Sequence, residues 1–216
     1  MSMLNNRLYN LLFIISFVFS DSSEILSDFN TNFDWVLVEE KNNMKIFEYN
    51  NPSCDCLYSK IEQPVNHNEK DILNVISSID KYNIVIKNKS LNTELIDIEN
   101  DTIYAYQIIK NSVPFIRDRQ YVFKMYYINE NHLEWMIVDE NSSYLIPYLN
   151  DDVRTLNLGA GTWSFRYENS KKILINKIYV DDGVNLPWIF INKLKRDHVV
   201  QIFNDVLDSI KETKGE

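Results

Sequence analysis

Residues Leu186–Lys211 read LPWIFINKLKRDHVVQIFNDVLDSIK, with no glycine and a single proline at the second position. Pro187 falls in a first helical turn, where its missing N–H costs nothing. Leu194, Val199, Ile202, Phe203, Val206 and Ile210 recur at helical spacing, so the stretch reads as a long amphipathic helix with one apolar stripe. That stripe needs a surface to bury against, and the upstream chain offers one. β-rich runs occupy Trp35–Glu40, Met44–Tyr49, Leu57–Val65, Leu91–Ile98, Thr102–Lys110, Arg119–Ile128, Leu133–Asp139, Thr155–Tyr167 and Lys172–Asp181. Asn, Asp, Ser or Gly turn chemistry separates them, as at Lys41-Asn42-Asn43 and Glu99-Asn100-Asp101. Only Asn68–Ile79 switches to a helical period, with Ile72, Leu73, Val75, Ile76 and Ile79 as its stripe. The order predicts an α+β architecture: a curved antiparallel sheet of about six to nine strands, closed by the last helix.

Composition narrows the function classes. The 216 residues are 45% hydrophobic and 25% charged, a balance that suits one globular domain with a core large enough to need no disulfide. Lys and Arg total 22 against 31 Asp and Glu, a net charge of −9, which argues against a nucleic-acid partner. Only Gly159, Gly161, Gly183 and Gly215 are glycines, and no phosphate cradle or nucleophile elbow can be assembled from them. Residues 1–20 carry Arg7 ahead of the apolar run Leu11–Phe19, with Val18 and Ser20 small at the positions before a cut at Asp21. This is the pattern of a cleaved signal peptide, implying a periplasmic or secreted protein. A buried first helix or an uncleaved anchor are the competing readings of the same run. Residues 21–32 form a polar lead-in with a short helix around Glu24–Phe29.

His67, His132 and His198 show no metal-ligand spacing, and Cys54-Asp55-Cys56 is half a metal site with nothing nearby to complete it. A disulfide across one intervening residue makes a strained ring. No metal and no cofactor are expected.

Four stretches in order carry a resemblance to a known family. They are Trp35–Lys41 with Lys45-Ile46-Phe47, Val75–Tyr82, Val113–Arg119 (VPFIRDR) and Gly183–Asn192 (GVNLPWIFIN). Together these resemble the START domain, the steroidogenic acute regulatory protein-related lipid-transfer module of the helix-grip superfamily, over about residues 33–212. The resemblance implies a helix-grip fold with an internal hydrophobic cavity. It also implies binding of a lipid or other hydrophobic small molecule, carriage between membranes with transient membrane contact, and no catalysis. Superfamily relatives also include cyclases and dehydratases, so an enzyme acting on a hydrophobic substrate is the alternative. In sterol-binding members a buried acid–Arg pair lies in the cavity. Counted from Asp118, its positions fall on Tyr104 and Phe123 here, which implies a different ligand polarity.

Strand alternation selects side chains for the cavity. In Arg119–Tyr127 the set Arg119, Tyr121, Phe123, Met125 and Tyr127 opposes Gln120 and Lys124, which are expected to face water. By the same logic Leu133, Trp135 and Ile137 oppose Glu134, and Trp163, Phe165 and Tyr167 oppose Ser164 and Arg166. A buried phenol needs a partner, so Tyr104, Tyr106 and Tyr121 are candidates to meet a ligand's polar end. Arg119 is either part of a loop-clamping ion pair or an anchor for a head group. The expected ligand-binding set is Tyr104, Tyr106, Arg119, Tyr121, Phe123, Trp135, Trp163, Phe165, Val199 and Phe203. The C-terminal helix and the Lys110–Asp118 loop are the expected gate.

Overall fold

Asparagine does the turning in this protein. Three hairpins close on two-residue loops, Asn42-Asn43, Asn100-Asp101 and Asn169-Ser170, and all six residues have positive φ between 48° and 64°. Two central residues in the left-handed region make a type I′ turn, whose twist matches that of the strands it joins. Asn and Asp tolerate that region because their short side chains hydrogen-bond locally, which explains how a chain so poor in glycine builds tight hairpins.

The computed structural model describes residues 21–31, 33–51, 56–111, 117–181 and 188–214. The expected signal peptide, Cys54, most of the Val113–Asp118 segment and the Gly183–Pro187 approach to the last helix lie outside them. So do the side chains of Cys56 and Leu194.

Helix α1 (Ser22–Phe29) precedes strands β1 (Val36–Lys41), β2 (Met44–Asn51) and β3 (Cys56–Pro64). A helical crossover follows: α2 (Glu69–Ser77), a 3-10 turn (Ile79–Lys81) and α3 (Tyr82–Val85). Then come β4 (Leu91–Glu99), β5 (Thr102–Ile109), β6 (Arg119–Asn129) and β7 (His132–Ile137). The short β8 (Arg154–Thr155), β9 (Gly159–Glu168) and β10 (Lys171–Val180) lead to α4 (Trp188–Lys214). The strands form one sheet in the order β1-β2-β3-β10-β9-β7-β6-β5-β4, with β8 beside β6. Every pairing is antiparallel except the two-residue β6–β8 contact. This is the expected α+β fold. Among the described residues, no helix is long and apolar enough to cross a membrane.

One apolar core takes side chains from nearly the whole sheet: Met44 and Ile46 on β2, Leu91 on β4, Ala105 on β5, and Phe203, Val206, Leu207 and Ile210 on α4. Nine flat strands at roughly 4.8 Å spacing would hold the two edges too far apart to share a core. The sheet therefore curls, and α4 fills its concave side with α2 beside it.

The convex side is also covered, which corrects the expectation that Gln120 and Glu134 face water. Gln120 is fully buried and Glu134 is 8% exposed. Helix α1 packs Ile25, Leu26 and Phe29 on Tyr58, Ala160 and Tyr179. The segment from Asp139 to Asp152 folds over the strands farther along, burying Leu145 against Val122 and Val138. The Gln120 amide ties this segment down: its nitrogen donates to the Tyr148 carbonyl (3.1 Å) and its oxygen accepts from the Asn150 amide (3.1 Å). Sequence alternation identified the face correctly but not what covers it, because the covering segments are distant in the chain.

Asp101 occupies the second left-handed position of the β4–β5 turn, so Asp101→Gly is expected to raise stability by up to about 1 kcal/mol. Urea unfolding checks this as a rise in midpoint at unchanged slope. Asp101→Val at the same position is expected to be destabilising.

Candidate functional site

Antiparallel register decides which side chains meet beneath α4. Gln107 pairs with Tyr121, Ala105 with Phe123, Ile103 with Met125 and Ile109 with Arg119, so these residues share the concave face. Tyr104 pairs with Lys124 and Tyr106 with Val122, on the other face. There Tyr104 stacks on Tyr144 at 4.0 Å and Tyr106 on Tyr148 at 4.5 Å between ring centroids. Tyr104 and Tyr106, expected among the ligand contacts, are thus outer-face residues. The physical reason is that β5 is apolar on both faces, so its alternation has two equally plausible phases. The small Ala105, rather than either tyrosine, faces inward and leaves room for Phe123.

Between the concave face, α3 and the N-terminal half of α4 lies a pocket of about 340 Å³. Of the expected ligand-binding set, Arg119, Tyr121, Phe123, Trp135, Trp163 and Val199 line it. Phe203 and Phe165 do not. Phe203 is fully buried below the pocket, stacked on Trp163 at 5.5 Å, and Phe165 packs against the same core. Gln107, Asn176, Ser59, Tyr82, Lys110 and Lys195 line the pocket without having been anticipated, as do Ile202 and Val206 of the apolar stripe, which were outside the expected ligand-binding set. Continuing the opposite phase of β5 from Ile103 would have found Gln107. Tyr82 depends on where the crossover helix lands, and no period reports that. Close approach at Gly161 is also required: a Cβ there would stand 2.5 Å from Trp135 Nε1, so the glycine lets this indole lie over β9.

Most polar groups inside the pocket are satisfied by the protein. The Tyr121 hydroxyl donates to Gln107 Oε1, and Gln107 Nε2 donates to Thr93 Oγ1 at 2.7 Å. The Tyr82 hydroxyl donates to the Ile76 carbonyl. Burial pushes both phenols well above the ordinary tyrosine range, so they stay protonated. Asn176 Nδ2 donates to the Thr162 carbonyl at 3.1 Å. Arg119 differs: its Nε is buried with no partner among the described residues.

His198 lines the same pocket as this arginine. Asn88 Oδ1 accepts from the Ser90 amide (3.0 Å) and hydroxyl (2.6 Å), which orients the Asn88 side chain. Its Nδ2 then faces His198 Nδ1 at 3.1 Å and donates to it, leaving the imidazole proton on Nε2. Burial lowers the His198 pKa to about 4, and the positive charge of Arg119 adds to the effect. The lining contains three cations, Lys110, Arg119 and Lys195, and no Asp or Glu among the described residues. No group of three His, Cys, Asp or Glu among the described residues is placed to hold a metal.

No family model and no curated protein matches this sequence. Solved structures do match its fold. The STAR-related lipid transfer protein from Xanthomonas axonopodis superposes with a TM-score of 0.67 at 12% identity, covering 82% of this chain and 98% of that one. The human StAR-related lipid transfer protein 5 gives 0.64 at 9% identity, covering 89% and 93%. The Zhui aromatase/cyclase from Streptomyces gives 0.52 at 8% identity, covering 71% and 93%. The architecture is therefore that of the START helix-grip domains.

Helix α4 divides into a packed half and a half that roofs the pocket. Phe203→Ala is expected to cost about 3–5 kcal/mol of ligand-free stability, as a large truncation in a solid core does. Val199→Ala, over the pocket, is expected to cost less than 1.5 kcal/mol. Chemical denaturation of both variants reads the difference.

His198 also predicts a pH dependence. The unfolded chain takes up this proton near pH 6.5 and the folded protein only near pH 4. Stability should therefore fall as the pH drops through that window, by up to about 1.4 kcal/mol per unit from this site. His198→Gln keeps an acceptor for Asn88 and should flatten the profile by that amount between pH 6.5 and 5.

Proposed function

We propose that this protein binds a lipid or other hydrophobic molecule in the pocket beneath α4 and carries it between membranes, without a chemical step. The supporting observation is the division of α4. Its C-terminal half is anchored by Phe203, Leu207 and Ile210, while His198, Val199 and Ile202, with Val206 one turn on, border an aromatic-lined space. A roof of that kind can lift while the fold persists, since the packed half supplies most of the burial. A ligand pocket of roughly 300–1,000 Å³, mostly apolar with a few directed polar groups, is the usual form of a small-molecule site. Lipid transfer proteins of the same fold bring the substrate class to this chain as a hypothesis.

The aromatase/cyclase neighbour favours a second reading, an enzyme acting on a hydrophobic substrate. Such an enzyme needs a poised acid or base. His198 is the candidate, but its Nδ1 is held by the neutral Asn88 rather than by a carboxylate that would raise its basicity. That arrangement supports carriage over catalysis. Arg7 and the apolar run Leu11–Phe19 support export of the carrier.

Protein purified from its native host should begin near Asp21 and retain a hydrophobic small molecule through native mass spectrometry. Once emptied, it should move that molecule between donor and acceptor vesicles. Chemical conversion of the extracted molecule on re-addition would instead establish the enzyme reading, and a mature chain that keeps Met1 would remove export.

A further inference from the structure

The pocket's charge runs against that of the chain. A protein of net charge −9 places three cations and no described carboxylate around one apolar space. These cations gather at one end. Arg119 opens β6 and pairs with Ile109, beside Lys110 at the end of β5. His198 feels the charge of Arg119 from the α4 side, and Lys195 lies one turn before it on the same helix.

One donor there has no acceptor among the described residues: Arg119 Nε is buried and unpartnered. His198 lines the same pocket, with its proton on Nε2 because Nδ1 is taken by Asn88. A buried unpaired donor on a charged group is costly, so its persistence calls for a partner that the protein alone does not supply. Away from this end the lining turns apolar along Phe123, Met125, Trp135, Trp163 and Ile178. From Arg119 to Met125 the strand advances roughly 20 Å at about 3.3 Å per residue. The volume of about 340 Å³ lies at the low end for ligand pockets, which favours one chain over two.

We infer that the pocket selects single-chain amphiphiles with an anionic head, a carboxylate or a phosphate monoester, bound by Arg119 and His198 with the chain laid along the aromatic wall. The inference rests on the carrier reading and narrows its ligand. A guanidinium Nε–H and an imidazole N–H both donate and neither accepts in this arrangement. An anion satisfies them, an alcohol supplies one weak acceptor, and an ammonium is repelled by the Arg119 guanidinium.

The test uses the full mature chain, delipidated, and measures Kd for palmitate, palmitoyl lysophosphatidate, hexadecanol and hexadecylamine by displacement of a fluorescent fatty-chain probe. At least one anion should bind ten-fold or more tightly than hexadecanol, and hexadecylamine more weakly than hexadecanol. The better of the two anions names the head group. Arg119→Gln should abolish the preference for the anion over hexadecanol. Arg119→Lys, which keeps the charge, should retain part of the preference and serves if the glutamine variant does not fold. Equal binding of acids and alcohol by the wild type overturns the inference while leaving the carrier reading intact, and so does a preference that survives in Arg119→Gln. Failure of all four amphiphiles to bind overturns both.

Discussion

The stack of Phe203 on Trp163 is the contact around which the rest of the molecule is arranged. It joins the middle of α4 to β9 near the centre of the curled sheet, with the interplanar angle only 19°. Below it, Leu207 and Ile210 continue into the shared core with Ile72, Leu73 and Ile76 of α2. Above it the helix and sheet separate, and the pocket opens where the packing stops. Polar contacts hold the helix on either side of the stack. Arg196 donates to Glu48 Oε1 from Nε (2.9 Å) and Nη2 (2.6 Å), tying the roof to β2. Asp205 Oδ2 accepts from the Lys87 amide at 2.9 Å, tying the lower half to the end of α3. Burial raises the Asp205 pKa, while the Lys87 amide works in the opposite direction.

The same geometry sets the electrostatics. Few carboxylates find a place on the concave side because that face is committed to burial, and an unpaired charge there is expensive. Glu62 sits on the convex surface, where it is met by Lys60 at 2.8 Å and Arg166 at 3.0 Å, and Glu48, in phase with Met44 and Ile46, is paired with Arg196. Arg119 is a charge on the inner face. Its aliphatic stem can pack with Ile109 while its head stays at the polar end of the pocket, an amphipathic placement that arginine tolerates.

Strand alternation set the inward face correctly on β6, β7 and β9, although Phe165 of β9 packs in the core rather than lining the pocket, and it failed on β5. In β6 the polar Gln120 and Lys124 break the run and reveal its phase, so Tyr121, Phe123 and Met125 could be set inward. In β5, Ile103-Tyr104-Ala105-Tyr106 offers apolar or aromatic groups in both phases, and the larger rings were the wrong choice. A bulge between Leu95 and Asp97 shifts the facing strand as well, so alternation counted across β4 changes phase part-way. Phe203 illustrates a different limit. Its place on the apolar stripe of α4 was plain, but whether the stripe roofs a space or fills one depends on how far the sheet curls at each level.

The sequence by itself determined the elements and their order. Asn- and Asp-rich turns, period-two strands and an uninterrupted amphipathic helix are local properties, set by backbone sterics and by which side chains avoid water. It also determined the chemistry available, an acidic chain rich in aromatic rings with little glycine. Only the tertiary structure decided which face of β5 turns inward, what buries Gln120, and that Asn88 meets His198 within reach of the Arg119 charge. Those facts depend on the register and curl of the whole sheet, which bring together residues as far apart as Asn88 and His198. Periodicity within one strand carries no information about distances of that kind.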